Sequence, residues 1–316
     1  MKYKYNIPAV FIFGPTACGK TEISLELIDS FPFEIVSVDS AMVYKDMNIG
    51  TCKPSNEILK SKKHHLVDLI TPKQNFDLGV FLKNLDHSIE EILSHDRVPL
   101  FVGGSMMYHH ILLNGFHDFP SEPNIKQRIQ NDYDQNGINS LQKKLSSLDS
   151  QLLNQIDISN YRRVIRALEI IEITGEKLSV LKERQKTMFF NQKKCLTISL
   201  NTNKETLIEH AANRLDKLIE KGFIDEFKEI ICKYELEEED QSMQSINYRQ
   251  YFNHVQGKKS SQESYTEAMI ATKLLIKSQQ TWLKKINADT SIDSTNINLK
   301  KEISDTISNY QRRIMQ

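Results

Sequence analysis

The sequence has few cysteines, no excess of either charge and no long apolar run. Its four cysteines are far apart and lack C-x-x-C or Cys/His zinc spacing, which argues against a disulfide scaffold and a zinc site. Lys+Arg and Asp+Glu both number 41, so a nucleic-acid partner would need local basic patches rather than a global field. No segment approaches the roughly 20 apolar residues of a membrane span. The amino-terminal segment lacks a small-residue cleavage site, and we expect a cytoplasmic protein.

The first hundred residues alternate between strand and helix patterns. Short apolar runs predict strands at Ala9–Phe13, Glu34–Asp39, His65–Ile70 and Val98–Val102. Helical spacing begins at Gly19 and near Gly79. Strands that alternate with helices predict a parallel sheet covered on both faces. Ligands bind beyond the carboxyl ends of such strands, where this sequence has a glycine-rich loop, "DSAMVY" and "GGSMMY".

The pattern changes after about Phe116, where strand patterns stop and helical patterns continue to about Gln192. The run Cys195–Leu200 then has the apolar character of a buried strand, so we expect the chain to rejoin the sheet. This order predicts an α/β fold with a P-loop NTPase-like parallel sheet core and an inserted all-helical domain. The predicted parts are 1–115 for the first part of the core, 116–194 for the insertion and 195–316 for the second part of the core.

Further helices are expected in the second part of the core. Helical spacing predicts long helices at Lys204–Tyr234 and Glu263–Ile286. The segment "ELEEED" at Glu235–Asp240 is typical of a solvated loop. The polar tail after Ala288 has no pattern that assigns it.

The octet "GPTACGKT" matches G-x-x-x-x-G-K-[ST] and stands between an apolar strand and an amphipathic helix. Backbone N–H groups of such a loop surround phosphate oxygens at a helix N-terminus. Lys20 would add positive charge, and the Thr21 hydroxyl would bind Mg²⁺. The octet therefore predicts a phosphate site made of Gly14, Pro15, Thr16, Ala17, Cys18, Gly19, Lys20 and Thr21.

The octet by itself leaves three functions open. A GTPase is disfavoured because the sequence has no N-K-x-D motif for the base. A kinase that uses ATP to phosphorylate a small hydroxyl compound fits, with Asp39 at a strand end holding Mg²⁺. A non-catalytic RNA-binding protein with an unused phosphate loop also fits. The third function is an enzyme that binds another diphosphate.

The segment "VDSAMVYKDMNIGTCKPS" at Val38–Ser55 resembles the second signature of the bacterial tRNA dimethylallyltransferases, also called tRNA isopentenyltransferases. The resemblance extends in order from about Ala9 to Trp282. Its further blocks are "HHLVDLITP" at His64–Pro72, "VGGSMMY" at Val102–Tyr108, "RRVIRALE" at Arg162–Glu169, "TG" at Thr174–Gly175, "RLDKLIEKGF" at Arg214–Phe223, "NYRQ" at Asn247–Gln250 and "ATKLLIKSQQTWLK" at Ala271–Lys284.

This resemblance implies that the bound diphosphate belongs to dimethylallyl diphosphate. The prenyl group would pass to the exocyclic amine of the adenosine 3′-adjacent to the anticodon, in tRNAs reading codons that begin with U. Asp39 would accept the proton of this weak nucleophile, and the Ser105 hydroxyl would contact the diphosphate. Arg214 would help Lys20, the loop N–H groups and Mg²⁺ stabilise the leaving group.

The resemblance also implies that a helical insertion grips the anticodon stem-loop and that the protein acts as a monomer. Lys126, Arg162, Arg163 and Arg166 would contact tRNA phosphates. The remaining residues implied in tRNA binding are Asp39, Ser40, Ala41, Met42, Ser105, Val164, Ile165, Gln244, Tyr248, Arg249, Lys273 and Lys277.

Five positions depart from the family pattern. Met42 stands where most members have Gln, Asn160 replaces an Asp and His210 replaces an Arg. Asn247 replaces a Gly, and Ser278 replaces a basic residue. These changes reduce the charge expected to face tRNA. We therefore expect prenyl transfer to be retained with weaker tRNA binding.

Overall fold

A six-stranded parallel sheet dominates the computed structural model. The structure describes residues 3–314. Residues 1–2 and 315–316 of the predicted domains lie outside the described residues. The described chain divides into two units. The helical unit contains 3–4 and Asn114–Phe189. The sheet unit contains Tyr5–Leu113 and 190–314.

The eight strands of the described residues fall into two sheets. They are β1 (Tyr3–Tyr5), β2 (Ala9–Phe13), β3 (Phe33–Ser37), β4 (His64–His65), β5 (Val98–Gly103), β6 (Met188–Phe190), β7 (Cys195–Asn201) and β8 (Thr290–Asp293). The main sheet has the order β4-β3-β5-β2-β7-β8, and all its pairs are parallel. In its centre, Phe11 pairs with Phe101 on one side and Thr197 on the other. All five residues of β2 are buried, as expected for a strand covered on both faces.

Within residues 3–314 the twelve α-helices are α1 (Lys20–Ser30), α2 (Asn56–Ser61), α3 (Leu78–Ser94), α4 (Met106–Asn114), α5 (Pro123–Leu148), α6 (Tyr161–Thr174), α7 (Leu178–Leu181), α8 (Lys204–Glu220), α9 (Phe223–Tyr234), α10 (Tyr248–Val255), α11 (Ser261–Leu283) and α12 (Leu299–Ile314). Many begin where the sequence offers a cap. Asp77 accepts from the N–H of Val80 before α3, and Ser260 forms a capping box before α11. None of the helices in the described chain has the length and apolar character that a membrane span requires.

The central strands and the first helices confirm the α/β prediction, but two predicted strands were too long. The second strand ends at Ser37, two residues before Asp39. The third is reduced to β4, because Leu66 and Asp68 have positive φ angles of 62° and 53°. Such a backbone conformation interrupts an extended strand.

Three features of the remaining chain differ from the predictions or add to them. The prediction of one helix at Lys204–Tyr234 was wrong because Gly222, with φ of 91°, separates α8 from α9. The segment expected to lack strands contains β6, which is too short to show periodicity. The unassigned tail forms β8 and α12, and Ile303, Ile307 and Tyr310 of α12 are buried in the core.

The helical unit has its own apolar core. Leu141 and Leu145 of α5 and Val164 and Leu168 of α6 are at most 1% exposed. Gly137 interrupts α5 with φ of 71° and ψ of 178°. Because Val164 and Leu168 are buried, the apolar side of α6 faces inward, and its arginines lie on the other side.

Candidate active site

A cavity of about 1290 Å³ opens in the sheet unit. The loops after β2, β3 and β5 contribute to its wall, as expected at the carboxyl edge of a parallel sheet. Residues of helices α8 and α11 also line the cavity. Predicted residues that line it are Thr16, Ala17, Cys18, Gly19, Lys20, Thr21, Asp39, Ser40, Ala41, Met42, Ser105, Arg214 and Gln244.

The glycine-rich loop wraps around the N-terminus of α1. Gly14 approaches the backbone so closely that a Cβ there would lie 2.1 Å from the carbonyl oxygen of Leu200. Gly19 has φ of 79°, which a glycine adopts without strain. The Lys20 ammonium donates to the carbonyl oxygen of Pro15 at 2.6 Å and lies 3.6 Å from Cys18 Sγ. A helix N-terminus and an ammonium therefore meet at the cavity wall, an arrangement that suits phosphate.

Helix α8 contacts the same loop from the other side. Arg214 Nη2 donates to Thr16 Oγ1 at 2.6 Å. One turn earlier, His210 Nδ1 lies 3.3 Å from the carbonyl oxygen of Ala17. The guanidinium of Arg214 is thus held beside the phosphate loop, where the resemblance requires it.

Gln279 joins two of the loops, a role that the sequence analysis missed. Its Oε1 accepts from the N–H of Thr16 at 2.8 Å, and its Nε2 donates to the carbonyl oxygen of Gly104 at 2.9 Å. The residue is only 5% exposed. A Cβ at Gly104 would lie 2.7 Å from Gln279 Nε2, so a side chain there would displace this amide. The only signal in the sequence was its place inside the "KSQQTWLK" block.

Asp39 follows β3 and is partly buried. Its Oδ1 accepts from the N–H groups of Ala41 at 2.8 Å and Met42 at 3.2 Å. The described hydrogen bonds of Asp39 all use Oδ1, so Oδ2 remains for a ligand. Ser105 lies nearby because its N–H donates to the carbonyl oxygen of Val38 at 3.1 Å.

The loop after Asp39 is closed by a buried lysine. Lys53 Nζ donates to the carbonyl oxygen of Tyr44 at 2.8 Å, to Asn48 Oδ1 at 3.1 Å and to Asp68 Oδ1 at 2.6 Å. The Lys53 side chain is fully buried. Burial lowers the pKa of Lys53, and the Asp68 carboxylate opposes that effect.

Glu226 of α9 fixes the far end of this loop. Its Oε2 accepts from the N–H groups of Asn48 at 3.0 Å and Ile49 at 2.8 Å. Its Oε1 accepts from the N–H of Gly50 at 3.2 Å and from the Tyr248 hydroxyl at 2.8 Å. Tyr248 is buried in the protein core, and its contact with tRNA stays a prediction.

The helical unit separates the predicted tRNA contacts into exposed and structural residues. Lys126, Arg162 and Arg163 are exposed. Val164 and Ile165 are 0% and 3% exposed, and their contact with tRNA stays a prediction. They lie on the inward side of α6, where they fill the apolar core.

The Arg166 guanidinium already has partners within the helical unit. It donates to the carbonyl oxygens of Phe119 and Pro120, both at 2.9 Å, and to Glu169 Oε2 at 2.8 Å. Burial raises the pKa of Glu169, but hydrogen bonds from Ser121 and Arg166 outweigh it and lower the pKa. Phe119 and Pro120 belong to the segment that leads into α5, which we call the connector. These contacts assign Arg166 to the support of the connector. Of the tRNA candidates in the sheet unit, the exposed ones are Ser40, Gln244, Arg249, Lys273 and Lys277.

Two of the departures from the family pattern have local partners. The Ser37 hydroxyl donates to Met42 Sδ at 3.9 Å. Asn247 has φ of 74°, a conformation that favours glycine. Its Nδ2 donates to the carbonyl oxygen of Gly50 at 2.9 Å, which offsets the strain of that backbone.

Comparisons with known proteins agree with this geometry. The family model described as IPP transferase matches residues 42–286. The chain is 32% identical to a tRNA dimethylallyltransferase of Nitrosospira multiformis, over 94% of this chain and 92% of that protein. It is 33% identical to a tRNA dimethylallyltransferase of a Psychrobacter species, over 88% and 85%. A crystal structure of the tRNA isopentenylpyrophosphate transferase of Bacillus halodurans is 27% identical, with a TM-score of 0.67 over 98% of this chain and 99% of that one. The chain therefore belongs to the IPP transferase family.

Proposed function

We propose that this protein transfers a dimethylallyl group from dimethylallyl diphosphate to tRNA. The acceptor is the exocyclic amine of the adenosine 3′-adjacent to the anticodon, in tRNAs reading codons that begin with U. The observation that carries the proposal is a carboxylate, Asp39, in one cavity with an intact phosphate loop and Ser105. The named relatives, which are tRNA dimethylallyltransferases, support the same reaction.

Asp39 acts as the general base. The lone pair of an adenine exocyclic amine is delocalised into the ring, so the amine must lose a proton as the C–N bond forms. The N–H groups of Ala41 and Met42 hold Oδ1, which orients the carboxylate. Oδ2 then accepts the hydrogen bond of the amine and takes its proton. The target base must leave the anticodon loop stack to reach this atom.

The phosphate loop stabilises the leaving group. The diphosphate gains negative charge as the C–O bond breaks, and N–H groups at the start of α1 point at that charge. Lys20 and Arg214 supply two positive charges beside the loop. The Ser105 hydroxyl donates to the diphosphate from the neighbouring loop after β5.

We further propose that Mg²⁺ accompanies the diphosphate. The described residues contain no group of three or more His, Cys, Asp or Glu side chains that could hold a metal by itself. Mg²⁺ prefers phosphate oxygens, water and one or two protein oxygens, so the Thr21 hydroxyl at the start of α1 fits as its protein ligand. Bound there, the ion would neutralise diphosphate charge.

The helical unit is the proposed grip on the anticodon stem-loop. Exposed Lys126, Arg162 and Arg163 would contact its phosphates, which position the RNA without reading its sequence. Gln244 lines the cavity, and Ser40, Ala41 and Met42 line it beside Asp39, where they would contact the target adenine. The protein would act as a monomer in the cytoplasm.

Nucleoside analysis by mass spectrometry tests this function. Unmodified tRNA is incubated with the protein, dimethylallyl diphosphate and Mg²⁺, then digested. The expected product is one dimethylallyl group on an adenosine, confined to tRNAs that read codons beginning with U. A parallel reaction replaces the donor with ATP and a small hydroxyl compound. Consumption of ATP without prenylated nucleoside would instead identify a kinase.

A further inference from the structure

The wall of the cavity formed by α8 carries more positive charge than a diphosphate needs. His210, Arg214, Lys217 and Lys221 all line the cavity. The first three lie on α8, and Lys221 is the residue that directly follows it, still with helical backbone angles. Their spacing of four, three and four residues places them on one side, along about 16 Å. Only the first half of this row adjoins the phosphate loop, through His210 and Arg214. Lys217 and Lys221 extend the row away from it.

The far end of the row lies in the same cavity as the reaction centre. Lys217, Lys221 and Asp39 all line its wall. Both lysines are exposed, and among the described residues neither has an ion pair or a side-chain hydrogen bond. The row therefore offers two positive charges without a protein partner.

We propose that Lys217 and Lys221 bind the backbone phosphates that flank the target adenosine. The inference rests on the proposed function, because it requires a polynucleotide acceptor. A base extruded towards Asp39 leaves its own 5′ and 3′ phosphates at the cavity wall. The two lysines are one helical turn apart, about 6 Å, and ammonium groups pair well with phosphate oxygens. They also restore charge that the departures at His210 and Ser278 remove.

Equilibrium binding across a salt series tests the inference. The ligand is an anticodon stem-loop RNA, and no donor is present. The cavity variant combines Lys217→Gln with Lys221→Gln. It should lower the slope of log affinity against log salt by about 0.7 per lost contact. The matched control, Lys204→Gln with Lys228→Gln, removes the same charge from α8 and α9 outside the cavity and should leave the slope unchanged. An equal slope in the wild type and the cavity variant overturns the inference.

A chemically modified RNA locates the contact. In a second stem-loop, neutral methylphosphonates replace the two phosphates that flank the target adenosine. If the lysines bind those phosphates, the cavity variant should bind this RNA as well as the wild type does. If the cavity variant binds the neutral RNA more weakly than the wild type does, the lysines contact other groups.

Donor binding tests the remaining alternative, in which both lysines bind the diphosphate. The affinity for dimethylallyl diphosphate without RNA should be the same in the wild type and the cavity variant. A matching loss of donor affinity would assign both lysines to the diphosphate and overturn the inference. Prenylation of the stem-loop by the wild type is scored separately. Its absence would refute the proposed function, whereas the binding measurements would still report on the two lysines.

Discussion

Gln279 accepts a hydrogen bond from the backbone N–H of Thr16 at 2.8 Å, although the two residues are 263 positions apart. The same side chain donates to the carbonyl oxygen of Gly104. One buried amide thereby fixes the distance between the phosphate loop and the loop that carries Ser105. Both ends of the amide have protein partners, so Gln279 acts as a positioning residue.

Replacing Gln279 by Ala should slow prenyl transfer by roughly 10- to 100-fold, because small misplacements of catalytic groups cost that much. Loss of the amide also leaves the Thr16 N–H without its partner. Single-turnover kinetics measure the effect. Gln280→Ala on the same helix is the control, since Gln280 contacts Asn201 and Thr202 instead. Equal rates in the two variants would contradict the positioning role.

Replacing Asp39 by Asn should slow transfer by roughly 10²- to 10⁴-fold, the usual effect of losing a positioned general base. The amide oxygen can still accept from the N–H groups of Ala41 and Met42, so the loop should keep its conformation. Affinities for donor and tRNA should therefore change little. Single-turnover rates within about threefold of the wild type would remove Asp39 from this role.

Replacing Glu226 by Gln should raise the KM for tRNA more than it affects donor binding. All four groups that face the carboxylate are donors, and Gln has one acceptor oxygen where Glu has two. The amide NH₂ must then face donors, which loosens the loop at 48–50. The conservative control is Lys228→Gln on the same helix. Unchanged kinetics in Glu226→Gln would show that the loop does not depend on this carboxylate.

Low pH should destabilise the fold through His109. Burial lowers the pKa of His109 to about 3, whereas an unfolded histidine titrates near 6.5. Between these values the unfolded chain binds a proton that the folded chain does not. The free energy of unfolding should therefore fall as the pH decreases, by about 1.4 kcal/mol per pH unit from this group. Denaturant unfolding at several pH values should show a smaller decrease for His109→Leu than for the wild type.

Much of the fold could be predicted because buried parallel strands have continuous apolar runs. The strand Ala9–Phe13 was predicted with the bounds it has in the structure. The loop after Asp39 could not be predicted, since Lys53 and Glu226 act through contacts between distant parts of the chain. Its sequence indicated chemistry but not the buried Lys53 ammonium and the partly buried Glu226 carboxylate that hold it.

The arginines of α6 could be predicted as a group but not separated by role. Three arginines near the start of an amphipathic helix have the same pattern, whether they bind phosphate or carbonyl oxygens. Their roles differ in the folded unit, because only Arg166 reaches back to Phe119 and Pro120. A one-dimensional pattern does not contain that connector contact.

The three arginines should therefore separate in their effects. Replacing Arg162 and Arg163 by Gln should weaken tRNA binding for every anticodon sequence and lower its salt dependence by about 0.7–0.9 log unit per lost contact. Thermal stability should hardly change, because both side chains are exposed. Donor affinity without tRNA should be unaffected. Filter binding across a salt series and thermal unfolding measure these quantities.

Arg166→Gln should give the opposite result. It removes the partner of Glu169, which is 1% exposed, and leaves two connector carbonyl groups without their donor. Breaking a buried pair from one side costs about 3–5 kcal/mol, and the partial exposure of Arg166 reduces this towards the lower end or below it. The helical unit should then unfold at lower temperature, while the salt slope of tRNA binding to the folded protein is retained. A lower salt slope with unchanged stability would return Arg166 to the phosphate contacts and remove it from the support of the connector.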